Sequence, residues 1–257
     1  MAELTGRALI AARCAKFFKD GDFVNLGIGL PLMCVNYLPE GVELCAVSKF
    51  HPVEALLEAY GAGQRVFGES RVQELKSKVA ATLAGEMAPG APVPDDVRWH
   101  FIGHLQRNKV RQLLALRPAL IESVDSTELL ELIDSEAARL GIVQPVLLQA
   151  HVAREETKTG FSPEEMLEYF TARKFENLRA THICGLMGMA SNTDDTERVR
   201  HDFATLRDLK RQIEALCPDL RGFSTLSMGM SHDRGIAVEE GSTMVRIGTD
   251  IFGEREY

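Results

Sequence analysis

The sequence has no CxxC pair. Its five cysteines, Cys14, Cys34, Cys45, Cys184 and Cys217, are odd in number and widely spaced, which argues against a zinc knuckle or redox dithiol and fits a reducing, cytoplasmic setting. Positive charge is also short: 37 acidic residues against 29 basic ones leave a net charge of -8. No general field gathers phosphate backbones or anionic lipid, so neither nucleic acid nor a membrane is expected as a partner. Long apolar runs are missing too, because Arg7, Arg13, Lys16 and Lys19 break up the N-terminal stretches. That leaves neither a signal-peptide core nor a membrane span. A dinucleotide fingerprint is lacking as well: in "GIGLPL" (27 to 32), Leu32 stands where the third glycine of GxGxxG belongs.

What is present is enough apolar material, 45% of 257 residues, to build a full core. Short β-branched runs alternate with helical periodicity along the chain. Eight segments read as strands: 42–47, 65–68, 98–103, 120–124, 145–152, 183–189, 223–228 and 244–248. Helical patterns lie between them at 52–61, 70–84, 106–115, 126–140, 162–173, 194–216 and 232–240, with one more at 4–19 before the first strand. The clearest is "DSTELLELIDSEAARLG", with Ser126 or Thr127 placed to cap it and Gly141 to stop it. Eight strands alternating with helices predict a single α/β domain, a (β/α)8 TIM-type barrel. An open doubly wound sheet would need a glycine-rich turn after its first strand, and "AVSKFHP" is not one. The Pro/Gly-rich segment 85–96 reads as a surface loop within the domain.

A barrel of this kind places its chemistry at the C-terminal ends of the strands. There the sequence puts Ser48-Lys49, Gly68-Glu69-Ser70, His100 with Gly103-His104, "LSMGMS" (226–231) and "VRIGTD" (245–250). The loops after strands seven and eight are the recurrent phosphate site of the architecture, and Ser227, Gly248 and Thr249 are the expected donors. Lys49 stands where an apolar strand meets its loop. An amine there loses hydration and becomes nucleophilic toward an aldehyde, although taken alone it better suits a lysine reaching out to solvent. An aldehyde-reactive amine beside a phosphate cradle is what pyridoxal phosphate requires. Arg246, two residues before Gly248 on one strand, shares its facing and is placed to donate to the pyridine nitrogen. His100 reads as a strand residue near the cofactor and His104 as a loop residue. With no third ligand spaced nearby, no metal site is expected. Lys158, in "ETKTGF", reads at least as well as a solvated loop lysine as one that attracts an anion at the mouth, and "RDLKRQ" (207–212) is a charged helix face.

These motifs carry a family resemblance. "AVSKFHPVEALLEAYGAGQRVFGESRVQE", "WHFIGHLQRNK", "LLQAHVAREETKTGF", "ICGLMGMAS" and "LSMGMSHDRGIAVEEGSTMVRIGTDIFGERE" resemble the pyridoxal phosphate homeostasis family, whose barrel is similar to the N-terminal domain of alanine racemase. The match runs from about Val42 to the C-terminus. It implies a pyridoxal 5'-phosphate Schiff base on Lys49, a ring-nitrogen contact from Arg246, and phosphate contacts around Ser227, Gly248 and Thr249. It further implies a role in vitamin B6 and amino-acid homeostasis without established turnover, in a monomer with pyridoxal-phosphate-dependent apoenzymes as recipients. Many members carry Asn where this chain has Ser70, which alters any contact made from that position.

Two alternatives stand beside this one. A pyridoxal-phosphate racemase would need a second acid/base, which racemases of this type take from a further domain and a partner subunit, whereas this sequence ends at Tyr257. A CoA transferase is raised by residues 1–41, "LTGRALIAARCAKFFKDGDFVNLGIGLPLMCVNYLPEGVE" and its flank, which resemble the opening of a CoA-transferase subunit. That resemblance stops near Glu43, and the glutamate motif of the family's catalysis does not follow. The expected organisation is a leader over 1–41 and a cofactor-binding barrel over 42–257.

Overall fold

Eight parallel strands close on one another in chain order. In this computed structural model residues 38–39, 41–84, 96–155 and 159–253 are described. The strands are β1 (Glu43–Val47), β2 (Val66–Glu69), β3 (Arg98–Phe101), β4 (Leu120–Val124), β5 (Gln144–Gln149), β6 (Thr181–Met187), β7 (Thr225–Ser227) and β8 (Met244–Ile247). Every neighbouring pair is parallel, and β8 returns to β1 with Cys45 in register with Arg246 and Ala46 with Ile247. The expected (β/α)8 barrel is therefore the observed one. The expected helix 4–19, the glycine stretch 21–32, most of the loop 85–96 and Lys158 lie outside the described residues.

The helices are α1 (Val53–Gly61), α2 (Val72–Ala84), α3 (Val110–Ala115), α4 (Thr127–Leu140), α5 (Pro163–Thr171), α6 (Thr196–Leu216), α7 (Arg234–Glu239) and α8 (Thr249–Phe252). Their ends follow the local chemistry. Ser126 caps α4 by accepting from the Leu129 N–H, and Gly141 ends it in the left-handed region at φ 62°. Ser162 and Glu165 form a reciprocal capping box on α5. The helix expected at 106–115 opens instead as a 3-10 turn over Arg107–Lys109, and only the residues from Val110 are α-helical. The short α8, which begins at Thr249, has no apolar periodicity long enough to announce it.

Most strand residues are buried on both faces, and β2, β4 and β8 are buried throughout, so strands read as nearly continuous apolar runs. Ala46, Phe67, Trp99, Phe101 and Ile121 pack outward in the main cluster with the helices. Cys45, Val66, Leu120, Leu147, Met187 and Met244 fill the inside, in a separate cluster with Ile102 and Met189. Strand β6 carries a bulge: Val146 pairs with Ile183, but Leu147 pairs with Gly185. Gly185 makes this possible, since its φ is +151° and a Cβ there would stand 1.9 Å from the Thr225 carbonyl oxygen. Among the described residues, no helix is long and apolar enough to cross a membrane.

Candidate functional site

Strand parity decides which side chains meet inside the barrel. Cys45 and Val47 share the inner register of β1, and Lys49, two residues past the strand's end in the turn that follows, is half-buried. Ser70 holds the equivalent place after β2, and a Cβ on Gly103 would lie 2.1 Å from its carbonyl oxygen. Gly68 keeps the row beneath open, because a Cβ there would come within 2.8 Å of the Cys45 sulfur. His100, in register with Gly68, is 3% exposed.

Below the mouth, a chain of hydrogen bonds crosses the interior. His100 Nδ1 lies 2.7 Å from Glu122 Oε1, and Ser227 donates its hydroxyl proton to Glu122 Oε2 at 2.6 Å. Arg246 Nη1 donates to the Ser227 hydroxyl at 2.6 Å, while Nη2 donates to the Gly188 carbonyl at 2.9 Å. Arg246 Nη1 and Glu122 Oε2 are 3.8 Å apart, and both side chains are almost fully enclosed. Burial alone would push the Glu122 carboxyl up. The hydrogen bond and charge of His100, the charge of Arg246 and the Ser227 hydroxyl outweigh that and hold it below the usual carboxylate range. An ionised carboxylate can only accept, so His100 carries its proton on Nδ1.

Ser227, expected as a phosphate donor, ends β7 fully buried. In this arrangement its hydroxyl donates to Glu122 and accepts from Arg246, which it orients. Gly248 and Thr249 do occupy the rim, half-buried and exposed respectively, at the start of α8. The first N–H groups of a helix have no intrahelical acceptor. The loops after β7 and β8 are tied together by Arg234, which pairs with Asp250 at 2.5 Å and also reaches the Ser231 carbonyl. His104 is separated from His100, pointing outward with its side chain 61% exposed and 3.0 Å from Asp125. The 207–212 run is a charged helix face, in which Arg207 joins Glu240 and Lys210 joins Glu214.

Glu122 was not singled out from the sequence, although a signal exists: a carboxylate in the middle of "LIESV", a strand buried on both faces, demands a partner. Cys45, His100 and Glu122 also bring their ligand atoms within 4.8 Å of one another. Yet the carboxylate already spends one oxygen on His100 and the other on Ser227, and the fixed charge of Arg246 beside it opposes a second cation. A second unforeseen cluster lies behind β1. Glu69 and Lys78, both buried, meet at 2.6 Å, and burial pushes the Glu69 carboxyl up against the opposing pull of Lys78 and Ser48.

Fold and site define a barrel of the alanine racemase N-terminal-domain type, and the family model of that description matches residues 34–256. The chain is 43% identical over 221 residues to the pyridoxal phosphate homeostasis protein of Vibrio alginolyticus, covering 85% of this chain and 89% of that one. The solved structure of PipY from Synechococcus elongatus with PLP bound is 36% identical with a TM-score of 0.74, covering 86% of this chain and 96% of that one. The alanine racemase of Clostridium difficile shares the fold alone, at 15% identity and a TM-score of 0.67 over 93% of this chain and 60% of that one. The chain belongs to the pyridoxal phosphate homeostasis protein family. None of these three relatives is a CoA transferase.

Proposed function

We propose that the barrel mouth binds pyridoxal 5'-phosphate as a Schiff base on Lys49, and that the protein holds the cofactor for vitamin B6 and amino-acid homeostasis without turning over a substrate. The observation that carries this is the placing of Arg246 inside the barrel, in register with Cys45, which stands four residues before Lys49. Its guanidinium spends one N–H on Ser227 and one on Gly188, so three of its five donors remain for a ring nitrogen. Gly248 and Thr249 supply backbone and hydroxyl donors to the phosphate, and His100 and Ser70 line the ring side.

The donor set fits the group chemically. A neutral lysine amine condenses with an aldehyde, forming a C=N bond and releasing one water. When bound, pyridoxal phosphate supplies that aldehyde and an electron-withdrawing ring. Arg246 can only donate, so it leaves the ring nitrogen unprotonated and the ring a weak electron sink. Glu122 reinforces this by holding Arg246 in place and by keeping His100 protonated on Nδ1. A weak sink suits storage and release better than catalysis, and the homeostasis name carried by relatives agrees with that. Delivery would be to apoenzymes that use the cofactor. The free thiols of Cys45, Cys184 and Cys217 suit a reducing cytoplasm.

Borohydride reduction of the cofactor-loaded protein, followed by peptide mass mapping, tests the assignment. The expected result is a pyridoxyl mass on the Lys49 peptide that disappears in Lys49→Ala. A label that stays on another lysine in that variant overturns it. Rapid, Lys49-dependent racemisation of an amino acid would replace storage with catalysis.

A further inference from the structure

The residues on either side of Lys49 are held from behind by one buried cluster. Ser48 O accepts from the Lys78 ammonium at 2.7 Å, so the peptide on the N-terminal side of Lys49 is anchored. The Phe50 N–H donates to Glu74 Oε1 at 2.6 Å, which anchors the peptide on its C-terminal side. Lys78 joins the two anchors by donating to that same Glu74 oxygen at 2.9 Å. Its third donor goes to Glu69 Oε1 at 2.6 Å, the oxygen that also accepts from the Ser48 hydroxyl at 2.6 Å. An ammonium has three N–H donors, and here three acceptors take them. The Lys78 side chain is 5% exposed.

The backbone held this way is unusual. His51 N–H closes a tight turn onto Ser48 O at 3.1 Å, placing Lys49 and Phe50 at its two corners. Phe50 has φ +67°, the left-handed region that such a turn commonly gives to glycine or asparagine. A large aromatic residue persists there only when its surroundings over-determine it. Glu74 on its N–H and Arg71 over its ring, 4.7 Å from the centroid, do so from α2 and the residue before it.

We propose that Lys78 and Glu74 are positioning residues that lock the turn 48–51 and thereby aim the Lys49 amine into the barrel mouth. The proposal deepens the cofactor assignment to Lys49 and rests on it for its functional meaning. The lock itself concerns the lysine's geometry alone. Lys78 also differs chemically from its neighbour: with all three protons bound and its charge matched by two carboxylates, it is the unreactive lysine of the pair.

The test measures Lys49 directly. Pulse acylation of the full chain with acetic anhydride across a pH series, read by mass spectrometry, gives the rate and titration midpoint of Lys49, with Lys78 as the slow internal control in the unaltered chain and in Glu74→Ala. In Glu74→Ala and Lys78→Met, amide exchange at Phe50 is expected to quicken, and Lys49 acylation to change by about tenfold, the size of one charge-assisted hydrogen bond lost. Lys78→Arg, which keeps charge and donors, is expected to restore most of the unaltered rate. Should Lys78→Met not fold, Glu74→Ala carries the test, with thermal melting to establish that it is folded. Faster Phe50 exchange with an unchanged Lys49 rate and midpoint overturns the lock. Pyridoxal phosphate loading forms a separate arm: failure of the unaltered chain to label at Lys49 overturns the cofactor reading alone, because acylation still reports on the turn.

Discussion

Arg246 and Glu122 stand 3.8 Å apart inside the barrel, with the Ser227 hydroxyl between them, 2.6 Å from each. A guanidinium and a carboxylate shut away from water are tolerable only together, and taking away one leaves the other uncompensated.

Glu122→Gln is therefore expected to lower folding stability by about 3 kcal/mol, measured by urea denaturation near neutral pH. The pH dependence has a definite sign. The Glu122 pKa is lowered in the folded state, so its contribution is complete above the ordinary value of 4.5 and is lost as pH falls through the lowered one. The gap between the unaltered protein and the variant should hold steady at neutral and mildly acid pH and close under stronger acid. An equal gap at every pH would remove Glu122 ionisation from the account.

Gly103→Ala drives a methyl group into the Ser70 backbone, whose carbonyl oxygen would be only 2.1 Å away. A clash against main chain has no side chain to swing aside, so a loss of about 1–3 kcal/mol is expected. Because Ser70 lies at the mouth, weaker pyridoxal phosphate binding should accompany the lower melting temperature. Titration calorimetry showing unaltered affinity would separate Ser70 from the site.

Cys45 is fully buried, and that burial, with Glu122 adding to it and Arg246 opposing, pushes its thiol well up. Cys184 is only half-buried, although burial raises it as well. A thiolate is the form that alkylates. Iodoacetamide on the native protein should modify Cys184 slowly and leave Cys45 untouched until denaturant is added, as mass spectrometry would register. Early alkylation of Cys45 would mean that the interior opens readily.

The cofactor-binding barrel is proposed to begin near Val42, with residues 1–41 as a leader. Deleting residues 20–40 should then preserve pyridoxal phosphate loading, with the thermal midpoint lowered only by the lost packing of Leu38. Lost loading would make "GDFVNLGIGLPL" an integral part of the protein.

Much of this was legible from the chain because it depends on local order. Strand "LIESV" matched residue for residue, and α4 began at its capping serine and stopped at Gly141, since caps and apolar runs act over a few neighbours. Lys49, Gly248 and Thr249 were read from strand-end position, and they lie just past the C-terminal ends of β1 and β8. The bulge at Gly185 was not legible, because it depends on how close Thr225 comes from the next strand.

Local patterning sets the alternation of strands and helices, and with it the end of the barrel where the loops carrying polar side chains gather. The partners of those side chains come from closure of the chain on itself. Ser227 and Glu122 are 105 residues apart in the chain, and Ser48 and Lys78 are 30 apart. A buried hydroxyl or ammonium gives its protons to whatever acceptor burial brings near, and closure of the barrel, which no local pattern encodes, chooses that acceptor.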